Sequence, residues 1–331
     1  MQNRRTFLCT ASAMFAALAT SAVSAAETTK LTVQLAWLPN SAYAGEIVAL
    51  QKGYFSEAGL DVTLLPGGPG ANTVQELLSD TAQISVGYAP QIMYAAERGL
   101  PVRTFAASFQ KAPLTFVSLA EANITSVHDW KGKRIGASQD AMPQVKAVLH
   151  ENGMTFEDIT FVQAQVPALM QGQVDVIATW LSNVAQNQPI VDHPAGWNEQ
   201  SIWDNGLQFQ SNYYIARKET LAGDADRLIA FLEAVDRGWA YAADHPQESV
   251  DLMVTYSPAL EADKEIASLK VITENYIYTQ ETKTNGFGNV SSERWQKTLD
   301  TYAAIGEIRD DIDAADVFDP SILQVAKRTK R

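Results

Sequence analysis

Aromatic and amide side chains follow the first predicted strand, at the point where the chain passes from strand to helix. In the segment LAWLPNSAY, Trp37, Asn40 and Tyr43 come just after an apolar run that is broken at Pro39. Indole and phenol rings have flat apolar faces with a polar edge, and an asparagine amide carries a hydrogen-bond donor and an acceptor together. Stacking a base on an aromatic side chain contributes roughly 1–3 kcal/mol, whereas micromolar binding needs about 8 kcal/mol. Two stacked faces and several buried hydrogen bonds are therefore of the right size to hold an uncharged flat heterocycle.

Side chains suited to stacking or to neutral hydrogen bonding also lie at the ends of five more predicted strands. In open α/β sheets, ligands bind in the crevice outside the carboxyl ends of the strands, so we expect these residues to line one cleft. The further candidates, the last of which precedes its strand, are Gly68, Gly70, Asn72, Tyr88, Gln91, Gln110, Ser138, Gln139, Asp140, Trp180, Asn183 and Tyr213.

Each candidate also has an ordinary structural interpretation. A tryptophan at a strand end is more often part of the core than a platform for a ligand, and Asn40 after Pro39 can cap a helix. The glycine-rich loop at 66–70 can be a tight turn, or it can present bare backbone N–H groups at the start of a helix. The position that all the candidates share, at strand ends, favours a cleft over these separate roles.

Motifs of the common enzyme classes are absent. The glycine-rich loop lacks the lysine of a Walker loop, and Thr73 stands where a dinucleotide fingerprint needs its third glycine. A G-x-S-x-G nucleophile motif does not occur. The four histidines, His128, His150, His193 and His245, show no H-E-x-x-H spacing. We therefore expect no cofactor, no metal site and no catalytic residues, although sequence spacing leaves a pair of catalytic carboxylates open.

The first 26 residues have the form of an export signal. Arg4 and Arg5 precede an apolar run at 11–23, and small residues follow at 24–26. The run is shorter than the about 20 residues that span a bilayer, and the arginine pair resembles a twin-arginine signal, with an ordinary Sec signal as the alternative. The only cysteine, Cys9, lies inside this signal without the small residues that precede a lipid-modified cysteine. We expect a periplasmic protein whose mature chain has no lipid anchor, disulfide or thiol ligand.

Charge excludes one class of partner. The formal net charge is −13, and a chain this acidic repels phosphate backbones, so we expect no nucleic-acid partner. The one basic cluster, at 327–331, is predicted to be a solvated tail.

Short apolar runs alternate with helical patterns, which is typical of βαβ units around a mostly parallel sheet. The pattern restarts after residue 112, and this predicts two lobes: residues 27–112 and 220–331 form the first, and residues 113–219 form an inserted second. The predicted strands include Leu60–Leu65, Val102–Phe109, Leu114–Leu119, Arg134–Ala137 and Tyr213–Arg217, and the predicted helices include Ala44–Ala58, Ala225–Asp244 and Glu261–Tyr276.

Several segments resemble one family over nearly the whole mature chain. These segments are Trp37-Leu-Pro-Asn40, Ala44-Gly45, Lys52-Gly-Tyr-Phe55, Gly59-Leu-Asp-Val62, the 66–70 loop, Asp129-Trp-Lys-Gly-Lys-Arg-Ile-Gly136 and Gly172-Gln-Val-Asp-Val176. The family is the branch of ABC-importer solute-binding proteins that includes binders of thiamine pyrimidine precursors, sulfonates, nitrate and riboflavin.

The resemblance implies a two-lobed periplasmic-binding-protein fold, with hinge crossings near Phe109–Leu114 and Arg217–Ala222. A small molecule would bind between the lobes of a monomer and favour a closed form, which an ABC permease in the inner membrane recognises. Carried over from the family, Trp37, Asn40 and Tyr43 would form the first lobe's wall and Trp180 the second's.

The resemblance leaves the ligand open. Relatives that bind pyrimidine precursors present an acidic residue after the strand that ends here at Trp180, whereas this chain continues Leu-Ser-Asn-Val-Ala-Gln. A pyrimidine precursor is the first expectation, followed by riboflavin or another heterocycle, and then by a sulfonate or nitrate. A secreted hydrolase or pyrimidine-synthesising enzyme is the alternative from another class. The yeast-type synthases use a cysteine-rich motif, and the cysteine-free mature chain argues against that activity. A sensor module is the remaining alternative.

Overall fold

The computed structural model describes residues 28–68 and 71–331. The predicted export signal at 1–26 and the candidate Gly70 lie outside the described residues. Within the described residues, two five-stranded sheets are covered by helices. No helix in this part of the chain combines the length and the apolar character that crossing a bilayer requires.

Ten strands of the described residues form the two sheets. They are β1 (Thr29–Gln34), β2 (Leu60–Leu65), β3 (Ile84–Gly87), β4 (Val102–Phe109), β5 (Leu114–Leu119), β6 (Arg134–Ala137), β7 (Thr160–Gln163), β8 (Val176–Trp180), β9 (Trp197–Ser201) and β10 (Ser211–Arg217). The first sheet has the order β2-β1-β3-β10-β4, and the second has the order β7-β6-β8-β5-β9. Only β10 runs against its neighbours in the first sheet, and only β5 does so in the second. The predicted α/β class, with two mostly parallel sheets, is confirmed.

The helices cover both sheets and are concentrated after β10. They are α1 (Ala44–Gln51), α2 (Tyr54–Glu57), α3 (Thr73–Leu78), α4 (Ala89–Glu97), α5 (Met142–Glu151), α6 (Val166–Met170), α7 (Val184–Val191), α8 (Lys218–Gly223), α9 (Ala225–Asp244), α10 (Pro246–Tyr256), α11 (Ala262–Ile272), α12 (Gln280–Asn285), α13 (Ser292–Ala304), α14 (Ala314–Val317) and α15 (Ser321–Val325). The single helix predicted at Ala44–Ala58 is wrong. Gly53 has a φ of 76°, which glycine adopts without strain, and this breaks the helix into α1 and α2.

Helix α9 packs against α1 and carries the predicted apolar stripe. Leu228, Leu232 and Val235 on that stripe are fully buried. Two glycines allow the close approach, because a Cβ placed on Gly238 would lie 2.0 Å from the Gly45 carbonyl oxygen. Helices α9, α14 and α15 also contact strands β2 and β4 of the first sheet.

The chain passes between the sheets twice. The first crossing joins β4 to β5 and coincides with the predicted crossing at Phe109–Leu114. The second joins β9 to β10 and lies at 202–210, so the predicted crossing at Arg217–Ala222 is wrong. The predicted second lobe includes residues 211–217, yet β10 pairs antiparallel with β3 and β4 of the first sheet. A short buried strand carries no local signal for the sheet it joins.

The basic C-terminal segment is not a solvated tail. The Thr329 backbone N–H donates to Asp236 Oδ2 at 2.5 Å, and the Phe287 N–H donates to the Thr329 carbonyl. The Arg331 guanidinium makes two hydrogen bonds to the Asp244 carboxylate and lies 4.6 Å from the Tyr278 ring centre. The last residues therefore pack along α9, because its acidic side chains lie where the basic segment passes.

Candidate ligand-binding site

The segment after β1 forms a 3-10 turn at Ser41–Tyr43. The Asn40 side chain accepts a hydrogen bond from the Ala42 backbone N–H at 2.9 Å, so Asn40 caps this turn. Trp37 is 43% exposed, whereas Tyr43 is 1% exposed. Trp37 therefore offers its ring to solvent at this strand end, while Tyr43 lies in the core beneath it.

Aromatic rings from the two sheets meet at strand ends. The ring centres of Tyr88, after β3, and Trp180, at the end of β8, are 5.2 Å apart with planes inclined by 51°. Burial raises the pKa of Tyr43, and the neighbouring Tyr88 hydroxyl raises it further. Burial also raises the pKa of Tyr88, so both phenols are protonated donors at neutral pH. Gln91 accepts a hydrogen bond from the Tyr88 backbone N–H at 3.1 Å and orients the start of α4. Rings in contact leave no gap for a third ring, so a ligand can stack between them only when the two rings separate.

The three candidate asparagines all cap the element that follows their strand. Besides Asn40, Asn72 Oδ1 accepts from the Gln75 N–H at 3.1 Å, and Asn183 Oδ1 accepts from the Gln186 N–H at 3.1 Å. This capping explains why asparagine recurs at these strand ends. Asn72 and Asn183 are exposed, and the Asn183 amide nitrogen also donates to Gln186 Oε1 at 3.2 Å.

The glycine-rich loop packs tightly on the segment after β1. A Cβ on Gly67 would lie 2.3 Å from the Leu35 carbonyl oxygen, and Gly68 has a φ of 147°. Side chains at these two positions would clash or strain the backbone. The tight-turn interpretation therefore accounts for both glycines, and Gly68 remains half-buried beside Leu38.

Besides Tyr43, the structure places two more candidates in the interior rather than on the crevice surface. Gln110 donates from Nε2 to the Ala107 carbonyl at 2.8 Å, and the Tyr213 hydroxyl accepts from the Gln210 N–H at 3.0 Å. Both side chains are almost fully buried. They lie beside the two crossings, where the sheets cover them from both sides, so in this conformation neither is open to a ligand.

The second-lobe candidates lie at one edge of the second sheet. Ser138, Gln139 and Asp140 form an exposed turn after β6, and half-buried Trp180 ends β8. Strands β6 and β8 are parallel neighbours, so their carboxyl ends share this edge. Asp140 is the only ionisable carboxylate among the candidates, and none of them is a lysine or an arginine.

Sequence reasoning missed two side chains on α11 that contact this site. Glu265 Oε2 accepts from the Ser41 backbone N–H at 2.8 Å, and Ser268 Oγ accepts from the Val184 N–H at 3.2 Å. Ser41 belongs to the turn after Asn40, and Val184 opens α7. The amphipathic pattern predicted a helix here, but no local signal indicated that it would lie beside strand ends more than eighty residues away.

Sequence reasoning also missed a buried carboxyl group behind the first-lobe wall. Glu46 is fully buried in α1 and its Oε1 accepts from the Tyr214 hydroxyl at 2.7 Å. Burial raises the pKa of Glu46 to about 7, and the Tyr214 hydrogen bond opposes that rise. An uncharged carboxyl group here avoids the cost of an unpaired buried charge.

Two surface cavities lie away from the candidate residues. One of about 720 Å³ lies among α9, α10, α11 and the C-terminal residue, and one of about 300 Å³ lies beside β9. Within residues 28–68 and 71–331, no three histidine, cysteine, aspartate or glutamate side chains come together as metal ligands would.

Most of the chain matches the model of a known protein family. The family described as NMT1/THI5 like matches residues 40–249, which is more than half of the chain. The chain belongs to this family. The matched region includes strands β2 to β10 and begins after Trp37.

Curated relatives carry names of two kinds. The chain is 26% identical over 234 residues to a putative thiamine biosynthesis protein from Haemophilus influenzae, covering 69% of this chain and 74% of that one. It is 24% identical over 302 residues to the riboflavin-binding protein RibY from Chloroflexus aurantiacus, with coverages of 87% and 84%. It is also 24% identical over 302 residues to the formylaminopyrimidine-binding protein from Halalkalibacterium halodurans, with coverages of 86% and 88%. Other relatives are named as enzymes, among them a 4-amino-5-hydroxymethyl-2-methylpyrimidine phosphate synthase from Aspergillus parasiticus, 27% identical over 252 residues, with coverages of 70% and 72%.

Solved structures share the fold at low sequence identity. The periplasmic aliphatic sulphonate binding protein SsuA from Escherichia coli superposes with a TM-score of 0.70 at 15% identity, covering 91% of this chain and 94% of that one. The chain thus has the fold of periplasmic binding proteins.

Proposed function

We propose that this NMT1/THI5-like protein is a periplasmic solute-binding protein that captures a small, flat nitrogen heterocycle between its two lobes. The observation that carries the proposal is the meeting of Tyr88 and Trp180, which belong to different sheets, at the strand ends. A heterocycle can stack on such rings with roughly 1–3 kcal/mol per face. A pyrimidine precursor of thiamine is the leading ligand, and an ABC permease in the inner membrane is the proposed recipient.

The chemistry of the wall residues supports an uncharged ligand. The candidates supply aromatic faces, amide donors and hydroxyl groups, but no guanidinium or ammonium group that would pair with a sulfonate or nitrate. The relatives whose names state riboflavin and formylaminopyrimidine binding support the same class. A sulfonate or nitrate therefore ranks below a heterocycle, despite the shared fold with a sulphonate binder.

The two crossings provide the hinge. A ligand that binds the closed form more tightly than the open form shifts the protein towards closure, and only by that difference in affinity. The separation of the Tyr88 and Trp180 rings is the movement that admits the ligand.

Thermal-shift screening of the purified mature protein tests this proposal. A ligand at a hundred times its Kd stabilises the folded state by about 2.7 kcal/mol, so 4-amino-5-hydroxymethyl-2-methylpyrimidine, its formylamino analogue or riboflavin should raise Tm. Stabilisation by sulfonates, nitrate or amino acids alone would reject the heterocycle class.

The relatives named as phosphate synthases make an enzyme the second candidate. Chromatography of each stabilising compound after long incubation with the protein separates the two functions. Recovery of the unchanged compound, with no pyrimidine phosphate formed, supports a binder, whereas time-dependent conversion of the compound or formation of the pyrimidine phosphate would establish an enzyme.

A further inference from the structure

Helix α11 contacts both walls of the proposed site through one of its faces. Glu265 and Ser268 are three residues apart and so project from the same side of the helix. Ser41 donates to Glu265 from both its backbone N–H and its hydroxyl, and the Val184 N–H donates to Ser268 Oγ at 3.2 Å.

The two partners belong to different lobes. Ser41 lies in the turn between Asn40 and Tyr43 of the first lobe, and Val184 directly follows Asn183 of the second. The Val184 N–H is one of the first amides of α7 and has no acceptor within its own helix. Ser268 therefore supplies the acceptor from α11, which packs on α9 and α10 of the first lobe.

A second contact between the lobes lies elsewhere. The Thr301 hydroxyl after the middle of α13 donates to Glu151 of α5 at 2.6 Å. A Cβ on Gly206 would lie 2.8 Å from Glu151 Cβ, so this contact sits against the returning crossing. Distances near a hinge change least when two lobes separate, so the contact between Thr301 and Glu151 changes little on opening. The contact of α11 with α7 lies beside the proposed ligand, away from the hinge.

We propose that Glu265 and Ser268 are positioning residues that set the spacing of the two walls, a role that rests on the proposed function. Glu265 holds the first-lobe turn on α11, and Ser268 holds the start of α7 on the same helix. Opening the crevice breaks the bond between Ser268 and Val184, and closing it makes the bond. Since the bond exists only in the closed form, it adds to the stability of that form and hence to the apparent affinity for ligand.

The first test uses the ligand-free protein and is independent of ligand identity. In Ser268→Ala we expect faster hydrogen exchange at the Val184 amide and a larger radius of gyration by small-angle X-ray scattering. Ser268→Thr keeps the hydroxyl and should restore both values. Ser249→Ala removes a buried hydroxyl on α10 that has no hydrogen-bond partner among the described residues, and so serves as the matched control. Wild-type exchange and dimensions in Ser268→Ala would overturn the inference.

The second test measures binding of 4-amino-5-hydroxymethyl-2-methylpyrimidine by calorimetry and stopped flow. Loss of one hydrogen bond of ordinary strength predicts a Kd raised by roughly three- to tenfold in Ser268→Ala, mainly through faster dissociation. Glu265→Ala should do the same, whereas Glu261→Ala removes an exposed carboxylate just before α11 that forms a salt bridge with Lys264 and should not.

The outcomes separate the two proposals. Absence of binding by the wild type, together with the expected exchange and scattering changes, would refute the proposed ligand class and leave the positioning role in place. Normal binding by the wild type and by Ser268→Ala alike would refute the positioning role and leave the ligand class standing.

Discussion

Replacing Trp180 by alanine removes the second lobe's aromatic face from the proposed site. One stacked face contributes roughly 1–3 kcal/mol to base binding. The ligand must also break the contact between Trp180 and Tyr88, seen at 5.2 Å, and an aromatic pair of this kind is worth about 0.5–1.5 kcal/mol. The variant loses the stacking energy, but its ligand no longer has to break the contact with Tyr88. The second effect partly offsets the first. With the middle of each range, the net loss is about 1 kcal/mol, which is a roughly fivefold increase in Kd.

Calorimetric titration with the compound that stabilises the wild type measures this change, and urea unfolding measures stability alongside. Trp180 is only half-buried, so we expect the free energy of unfolding to fall by about 1 kcal/mol. Trp197→Ala is the matched control, since Trp197 is a half-buried tryptophan of the same sheet that packs on the smaller core cluster. Unchanged affinity in Trp180→Ala, or a loss of stability well beyond that of the control, would identify Trp180 as a core residue and refute the reasoning.

Two further predictions concern stability. Burial raises the pKa of Glu46 to about 7, above the about 4.3 of an exposed glutamate, so between these values the folded protein holds a proton that the unfolded chain has lost. The free energy of unfolding should therefore fall as pH rises from about 4 to 7, by an amount on the order of 3 kcal/mol, and urea titrations of Glu46→Gln should show a smaller fall. Burial also raises the pKa of Asp236, to about 6, so Asp236 contributes a fall of the same sign that remains in Glu46→Gln. If the free energy of unfolding falls equally with pH in Glu46→Gln and in the wild type, Glu46 is ionised in the folded protein. Gly238→Ala places a Cβ 2.0 Å from a carbonyl of α1 and should cost about 2–4 kcal/mol, whereas Gly223→Ala, with no atom within 4 Å, should leave Tm unchanged; equal melting temperatures would contradict the packing of α9 on α1.

Local patterns predicted many elements to within a residue. Strands Leu60–Leu65 and Val102–Phe109 and helix Ala225–Asp244 begin and end where the sequence predicts, because periodicity and turn residues specify them over short distances. Helix α7 and strand β9 were missed. Helix α7 carries a proline at position 189, and β9 reads Trp-Asn-Glu-Gln-Ser, so neither shows the apolar periodicity of its class.

The candidate site was predictable in residue type but not in exposure. Aromatic and amide residues at strand ends indicated a cleft, yet the sequence does not distinguish exposed Trp37 from buried Tyr213. Burial depends on which elements cover a residue, and the covering elements come from distant parts of the chain. The role of each candidate in ligand binding stays a prediction until the experiments above are done.

The amino-acid sequence by itself determined the α/β class, the alternation of strands and helices, and the chemical character of the strand ends. Tertiary structure decided that β10 returns to the first sheet, that the basic C-terminal segment packs on α9, and that α11 reaches both walls of the site. The physical reason is the distance along the sequence between the residues that interact. Helix and strand periodicity depends on neighbours a few residues apart, whereas the contact between Ser41 and Glu265 joins residues 224 positions apart, and it exists only once the folded chain has brought them together.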